Sequence, residues 1–418
     1  MNDITYRRFE VPNGPTEDLR GWFDAAGIGF LQDQASDESL TRWRDEVSRD
    51  GWLLAGAYAP ASEFSLGAHT PVGTFATTTQ TINTGGGRLT PACFITDVTV
   101  RPTHRRRGIL TAMMSTALER AKADGIALAA LTVSEGGIYG RFGFGVATSY
   151  TKAELDSGPR FALTRPVTGR VELIAPETSV AVRRQVFDAF HATHRGSHQR
   201  LAFYDAYLSG QWDYDKGGPD KGMRAAVHLD AAGAPDGVVA YSVDGENGVV
   251  RVRDLLALTG AAELGLWRFL ASIDLTEKVE IRRLAPDSAL PWALPNPRLL
   301  KITGAGDFTW LRVLDVAAAL AARGFDADGD AAFSVDDRLG HAAGSYAVHV
   351  RDGVAEVTPS AAHPTIELDE RALASLYFGL VDARTLRAAG QINGPEDAVA
   401  ALGHLFPTDA PAHNTAGF

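Results

Sequence analysis

Cysteine is almost absent from this chain: Cys93 is the only one among 418 residues. A single thiol excludes an intrachain disulfide framework and a cysteine-based zinc site. Cations are also in deficit, with 40 Lys+Arg against 51 Asp+Glu and a net charge of −11. That balance disfavours nucleic acid and anionic membrane surfaces as partners and accommodates a polycationic substrate more easily. No run of about 18 apolar residues occurs, so no membrane-spanning helix is expected. The N-terminal stretch MNDITYRRFEVPNG lacks the apolar centre of a signal peptide. These absences point to a cytoplasmic globular protein. With 45% hydrophobic residues over this length, about three domains are expected rather than one core.

The apolar periodicity reads as α/β throughout, shading to α+β at the C-terminal end. In the first block (1–155), helices are expected over Thr16–Gly27 and Ser39–Arg49. Strands are expected over Gly51–Ala59 and Val72–Asn83, and Gly85-Gly86-Gly87 reads as a hairpin turn. The dipeptides Gly158-Pro159 and Arg165-Pro166 mark a domain edge. The second block (156–300) carries helix Val182–His194, strands Val238–Val243 and Gly248–Ala257, and helix Ala261–Ile273. Its strand–turn–helix unit VVRVRDLLALTGAAELGLWRFLASID repeats the order of Ile95–Leu118 but lacks an arginine run and a turn glycine. A duplicated scaffold whose second copy has lost the cofactor grip is the reading. After prolines 286, 291, 295 and 297 comes a third block (301–418), with helices near 316–323, 370–378 and 398–406 and strands near 345–350 and 354–359.

The chemistry concentrates between Asp97 and Gly145, in DVTVRPTHRRRGILTAMMSTALERAKADGIALAALTVSEGGIYGRFGFG. Val98-Thr99-Val100 reads as a strand whose backbone groups pair with an amide-containing arm if the neighbouring strand splays away. Arg105-Arg106-Arg107-Gly108-Ile109-Leu110-Thr111 then opens helix Ala112–Lys122, and unpaired N–H groups at a helix start attract phosphate. The turn is no P-loop, since no lysine followed by Ser or Thr stands after it. In Ser134-Glu135-Gly136-Gly137-Ile138-Tyr139-Gly140, glycines allow tight wrapping around a ligand. A tyrosine hydroxyl there has the basicity to protonate a leaving thiolate, although most tyrosines of this kind are core residues.

V-x-V-x-P-x-x-R-R-R-G followed by S-E-G-G-I-Y-G-R-F-G-F-G resembles the GNAT acetyltransferases, specifically the Eis (enhanced intracellular survival) family of N-acetyltransferases. LDVAAALAARGF, ELDERALASLYFG and the ending NTAGF resemble that family too, so the likeness spans most of the chain. The resemblance implies two GNAT-like mixed-sheet domains and a sterol-carrier-protein-like C-terminal domain, in a homo-oligomer, a hexamer. It implies acetyl-CoA as cosubstrate, no metal, and a small-molecule amine or lysine side chain as acceptor. Acetyl-CoA contacts fall on Val98, Thr99, Val100, Arg106, Arg107, Gly108, Ile109, Leu110, Thr111, Ser134 and Glu135. Tyr139 becomes the general acid and the C-terminal carboxylate of Phe418 the general base. On residues alone a chain end is usually frayed; the resemblance carries that last role.

Departures from the family pattern gather at the acceptor side: Gly417 stands where some relatives carry an acid, and Asp97 where an aromatic is expected. Asp33, Trp43, Trp22 and Phe30 are further acceptor-side candidates, with core or solvated roles as the alternatives. His191, His194 and His198 fall at helical spacing, but Gly196 interrupts and no carboxylate completes a metal set. A CoA- or lipid-binding module without transferase activity remains the alternative function.

Overall fold

In the computed structural model, which describes residues 3–361 and 364–418, three sheets carry the chain. The first runs, edge to edge, Thr5–Glu10, Leu53–Tyr58, Gly73–Asn83, Leu89–Val100, Leu128–Thr132, Thr309–Val313, Gly145–Val146. Helices Glu17–Gly29, Asp37–Arg49 and Ile109–Ala123 accompany it. Thr16 and Ser36 start the first two by accepting from the N–H groups of Leu19 and Ser39, the standard N-cap arrangement. The triglycine turn joins two antiparallel strands as the sequence suggests, with all three glycines at positive φ.

The second sheet runs Leu300–Asp307, Ser149–Asp156, Lys278–Ile281, Val249–Ala257, Pro235–Asp244, Arg224–Leu229, Arg170–Ile174. Helices Ser179–Thr193 and Gly260–Ala271 pack on it. Both sheets centre on one parallel pair flanked by antiparallel strands, so the duplication read from the sequence is present in the fold. The third sheet, Val354–Pro359, Gly344–Arg351, Gly329–Asp336, Glu367–Asp369, Ile392–Asn393, packs against helices Val316–Ala322 and Glu396–Leu405.

Hydrogen bonding crosses the sequence blocks. Ser149–Asp156, at the end of the first block, lies in the second sheet. Thr309–Val313, which the sequence assigns to the third block, is a strand of the first sheet, paired to Leu128–Thr132 and Gly145–Val146. Burial explains the insertion: Leu311 and Val313 are fully buried in the core that joins the first and third layers. Beside them Arg312 is fully buried too, its charge met by Asp337 at 2.5 Å. Breaking one partner of such a pair would strand a buried charge, at a cost of about 3–5 kcal/mol.

Candidate active site

The site starts from a parallel pair that comes apart. Ala92–Ile95 pairs with Leu128–Leu131 residue by residue, and the last pair is Ile95↔Leu131. Beyond it Thr96–Val100 stays bonded only to the Gly73–Asn83 strand, so one backbone edge is open toward a wedge. A β-bulge sits at the opening. Thr74 faces Thr99 and Ala76 faces Thr96, leaving Phe75 opposite both Asp97 and Val98. Asp97 takes the extra residue's strain at φ +52°, a left-handed conformation that Asp tolerates better than most residues. Thr74 Oγ1 fixes the bulge by donating to Asp97 O at 2.7 Å. Burial pushes the Asp97 carboxyl up to about 6.

The basic turn 101–108 leads from this strand to helix Ile109–Ala123, one turn longer than the sequence periodicity suggests. Arg106 and Gly108 both adopt positive φ, +63° and +77°, which curls the backbone before the helix. Gly108 is the N-cap and brings no side-chain acceptor. The first N–H to bond back is that of Ala112, to Gly108 O at 2.9 Å. The N–H groups of Ile109, Leu110 and Thr111 therefore point out of the helix start, an anion-binding arrangement. Arg106 and Arg107 are exposed around it, whereas Ile109 is buried and anchors the turn to the core.

Ser134 and Glu135 are exposed just past strand Leu128–Thr132. Tyr139 ends the short helix Gly136–Tyr139 and is 6% exposed, edge-on to Phe144. It packs in the same cluster as Ile95 and Leu131, the last residues paired before the wedge opens. Burial, then the Glu135 charge, holds its hydroxyl above the ordinary tyrosine range. A protonated phenol at the wedge is thereby favoured.

The chain end occupies the same wedge. Phe418 stacks on Phe94 with centroids 4.3 Å apart, and Thr132 Oγ1 donates to an oxygen of its terminal carboxylate at 3.0 Å. Residues 413–418 carry no helix or strand, yet second-domain side chains grip them at successive positions. Asn414 Nδ2 donates to Ala416 O (2.6 Å) and to His198 Nδ1 (3.1 Å). His198 Nε2 then carries the ring proton and donates to Thr309 Oγ1 at 3.1 Å, a tautomer fixed by this network. Tyr204 Oη accepts from Gly417 N at 2.7 Å, and Arg283 Nη1 donates to Thr415 O at 2.6 Å. Full burial holds His198 down at about 3, so it is neutral here.

The acceptor-side candidates separate. The end of helix Glu17–Gly29 abuts the bulge so closely that a Cβ on Gly29 would lie 2.4 Å from Thr99 Cβ. Asp33 is exposed on the loop that leaves from there. Trp43 stacks on Trp22 (5.5 Å) and meets Phe23 at a tilt (4.8 Å), and Trp22 is a fully buried core residue. Phe30 is 43% exposed. Cys93 is packing: burial pushes its thiol up to about 12. The sequence did not point to Thr132, Tyr204, Arg283 or Asn414, and it showed His198 only as a member of a discounted metal set. Among the described residues no His/Cys/Asp/Glu cluster fit to hold a metal occurs, and no helix is long and apolar enough to cross a membrane. A cavity of about 480 Å³ lies between strand Thr5–Glu10 and helix Ile109–Ala123 and reaches Phe75 at the bulge. Asp97 at the bulge, Tyr139 in the cluster of Ile95 and Leu131, and Phe418 bonded by Thr132 each lie by the end of the parallel pair.

The fold is shared with known proteins. GNAT acetyltransferase domain models match residues 11–147 and 206–313, and a sterol carrier protein domain model matches 316–414. An uncharacterized N-acetyltransferase of Streptomyces avermitilis is 34% identical over 396 residues, covering 91% of each chain. N-acetyltransferase Eis of Mycobacterium tuberculosis is 33% identical over 414 residues, covering 97% of this chain and 98% of that one. The crystal structure of Eis1 from Mycobacterium abscessus superposes with a TM-score of 0.81 at 27% identity, covering 99% of this chain and all of that one. With two GNAT domains, a sterol-carrier-like third and this identity over nearly the whole length, the chain belongs to the Eis family of GNAT N-acetyltransferases.

Proposed function

We propose that the protein transfers acetyl from acetyl-CoA to primary amines of cationic acceptors, aminoglycoside-type polyamines or lysine side chains, by direct attack. The residues present suit such a cosubstrate. The open edge of Val98, Thr99 and Val100 offers peptide groups to a pantetheine arm. The uncapped turn from Arg106 through Thr111 offers N–H groups and charge to a pyrophosphate, with Ser134 and Glu135 on the facing loop. When bound, acetyl-CoA supplies an activated acyl carbon and a thiolate leaving group.

The protein's own groups then handle the protons. The Phe418 carboxylate takes a proton from the acceptor ammonium, leaving the nitrogen lone pair free. Backbone N–H groups on the open strand edge polarise the carbonyl. Tyr139 gives its hydroxyl proton to the departing sulfur, and the proton shed by the newly acylated nitrogen restores the phenol. A positioned acid of this kind contributes roughly 10²–10⁴-fold in rate, about 3–5 kcal/mol. Asp97, half-buried at the bulge and ionised above about pH 6, supplies negative charge for a cationic acceptor.

One observation carries this reading: the last residue of a 418-residue chain is held at Thr132, where the parallel pair opens. Thiol release from acetyl-CoA with and without a polyamine tests it. Amine-dependent release with a mass gain on the amine is expected; release indifferent to amine would overturn it. Self-association is part of the proposal. Edge strand Leu300–Asp307, with Ile302 59% exposed, supports it, and sedimentation at a hexamer's mass is expected.

A further inference from the structure

The second domain repeats the first domain's wedge. Val249–Val252 pairs in parallel with Lys278–Ile281, four pairs as in the first domain, and the strands then diverge. Here only residues 258–259 separate strand from helix, where the first domain has 101–108, so the phosphate turn is missing. The wedge has nevertheless not closed. A cavity of about 240 Å³ remains between Leu255, Ala257, Ile281 and Arg283, beside helix Gly260–Ala271. That is below the size of ordinary cofactor and drug pockets and suits a smaller molecule.

Its walls state a chemistry. Arg283 is half-buried and meets a carbonyl, Thr415 O, and the face of the Phe308 ring rather than a carboxylate. The wall acid Glu263 already accepts from Ser288 Oγ and from Ala289 N. Asp287 is exposed at the rim. Trp267 lines the cavity, is 1% exposed, and its indole N–H is taken up by the Glu263 carboxylate. A guanidinium that meets no carboxylate among the described residues, over apolar walls (Phe190, Leu255, Leu284), suits a compact anion with an apolar end.

The cavity also touches the C-terminal tail. His413 lines it, five residues before Phe418 enters the first domain's wedge. One short segment therefore visits both wedges. We propose that the second wedge binds a small carboxylate with a short apolar tail, its carboxylate taken by Arg283. Through Arg283 and His413 its occupancy controls how firmly residues 413–418 are held. The catalytic consequence of that control rests on Phe418 acting as the base; the binding site itself does not.

Calorimetry on the full chain with hexanoate as probe tests the site. Saturable heat is expected, with affinity about tenfold weaker in Ala257→Trp, which fills the wedge away from the tail, and in Arg283→Gln. Acetyl-CoA affinity of Ala257→Trp stays at the wild-type value. Absence of saturable heat, or equal hexanoate affinity in all three proteins, overturns the proposal. Carboxypeptidase release of Phe418 reads the coupling without relying on catalysis. Hexanoate is expected to slow release in the wild type and not in Ala257→Trp. Release that ignores hexanoate overturns the control of the tail, whatever the role of Phe418 in transfer.

Discussion

Asn414 and His198 lie 216 residues apart in sequence and form one buried unit, the amide Nδ2 donating to the ring Nδ1 at 3.1 Å. Through it the tail is fastened to the second domain while its last residue lies in the first. Chain ends normally fray; this one is ordered by side chains whose polar atoms are satisfied only when the tail is home.

Asn414→Ala tests that fastening. It leaves His198 Nδ1 and Ala416 O without their buried partner, a loss of about 1–3 kcal/mol. Turnover is expected to fall about tenfold or more, with acetyl-CoA affinity by calorimetry unchanged. A matching loss of acetyl-CoA affinity would show a general packing role instead.

Tyr139→Phe removes only a hydroxyl from a buried ring. Turnover is expected to drop by roughly 10²–10⁴-fold with acetyl-CoA affinity intact. Wild-type rates in this variant would remove Tyr139 as the acid.

Asp97 carries a stability cost with a definite sign. Its folded carboxyl titrates near 6, above the unfolded value of about 3.9. Stability from this group is therefore fully present below about pH 4 and is lost as pH rises through about 6. Asp97→Asn keeps a residue that accepts positive φ and removes the buried charge. The variant is expected to gain up to about 3 kcal/mol over wild type at pH 8, and much less at pH 4, in urea titrations. Its KM for cationic amines is expected to rise. A pH-independent stability difference would contradict the burial argument.

His413 works in the opposite direction. Burial holds it down at about 4, below the unfolded value of about 6.5. Its contribution is present above about pH 6.5 and is lost as pH falls toward 4. Between pH 7 and pH 5 the wild type is expected to lose about 2 kcal/mol more than His413→Gln. Parallel stability curves for the two proteins would show that His413 titrates normally.

Local chemistry was legible in the sequence and long-range pairing was not. The arginine–glycine turn before helix Ile109–Ala123 and the glycine-flanked Tyr139 announce themselves, because their residue types are matched to local backbone needs. The bulge at Asp97 is set by Thr74 and Phe75 across the sheet, and no periodicity within Asp97–Val100 records it. Thr309–Val313 alternates like any buried strand, so nothing in it tells which sheet it joins. The tail's fastening was hidden for the same reason. His198 reads as one of three spaced histidines, yet its helix ends at Thr193 and the ring turns to Asn414 and Thr309.

The central claim is that the carboxylate of Phe418 removes the acceptor's proton. Its most direct test is amine-dependent thiol release by a protein semisynthesised with Phe418 as the carboxamide, which keeps the ring against Phe94 and abolishes only the terminal charge. A fall of roughly 10²–10⁴-fold is expected, with acetyl-CoA affinity unchanged. Release at the wild-type rate from the carboxamide protein would contradict it.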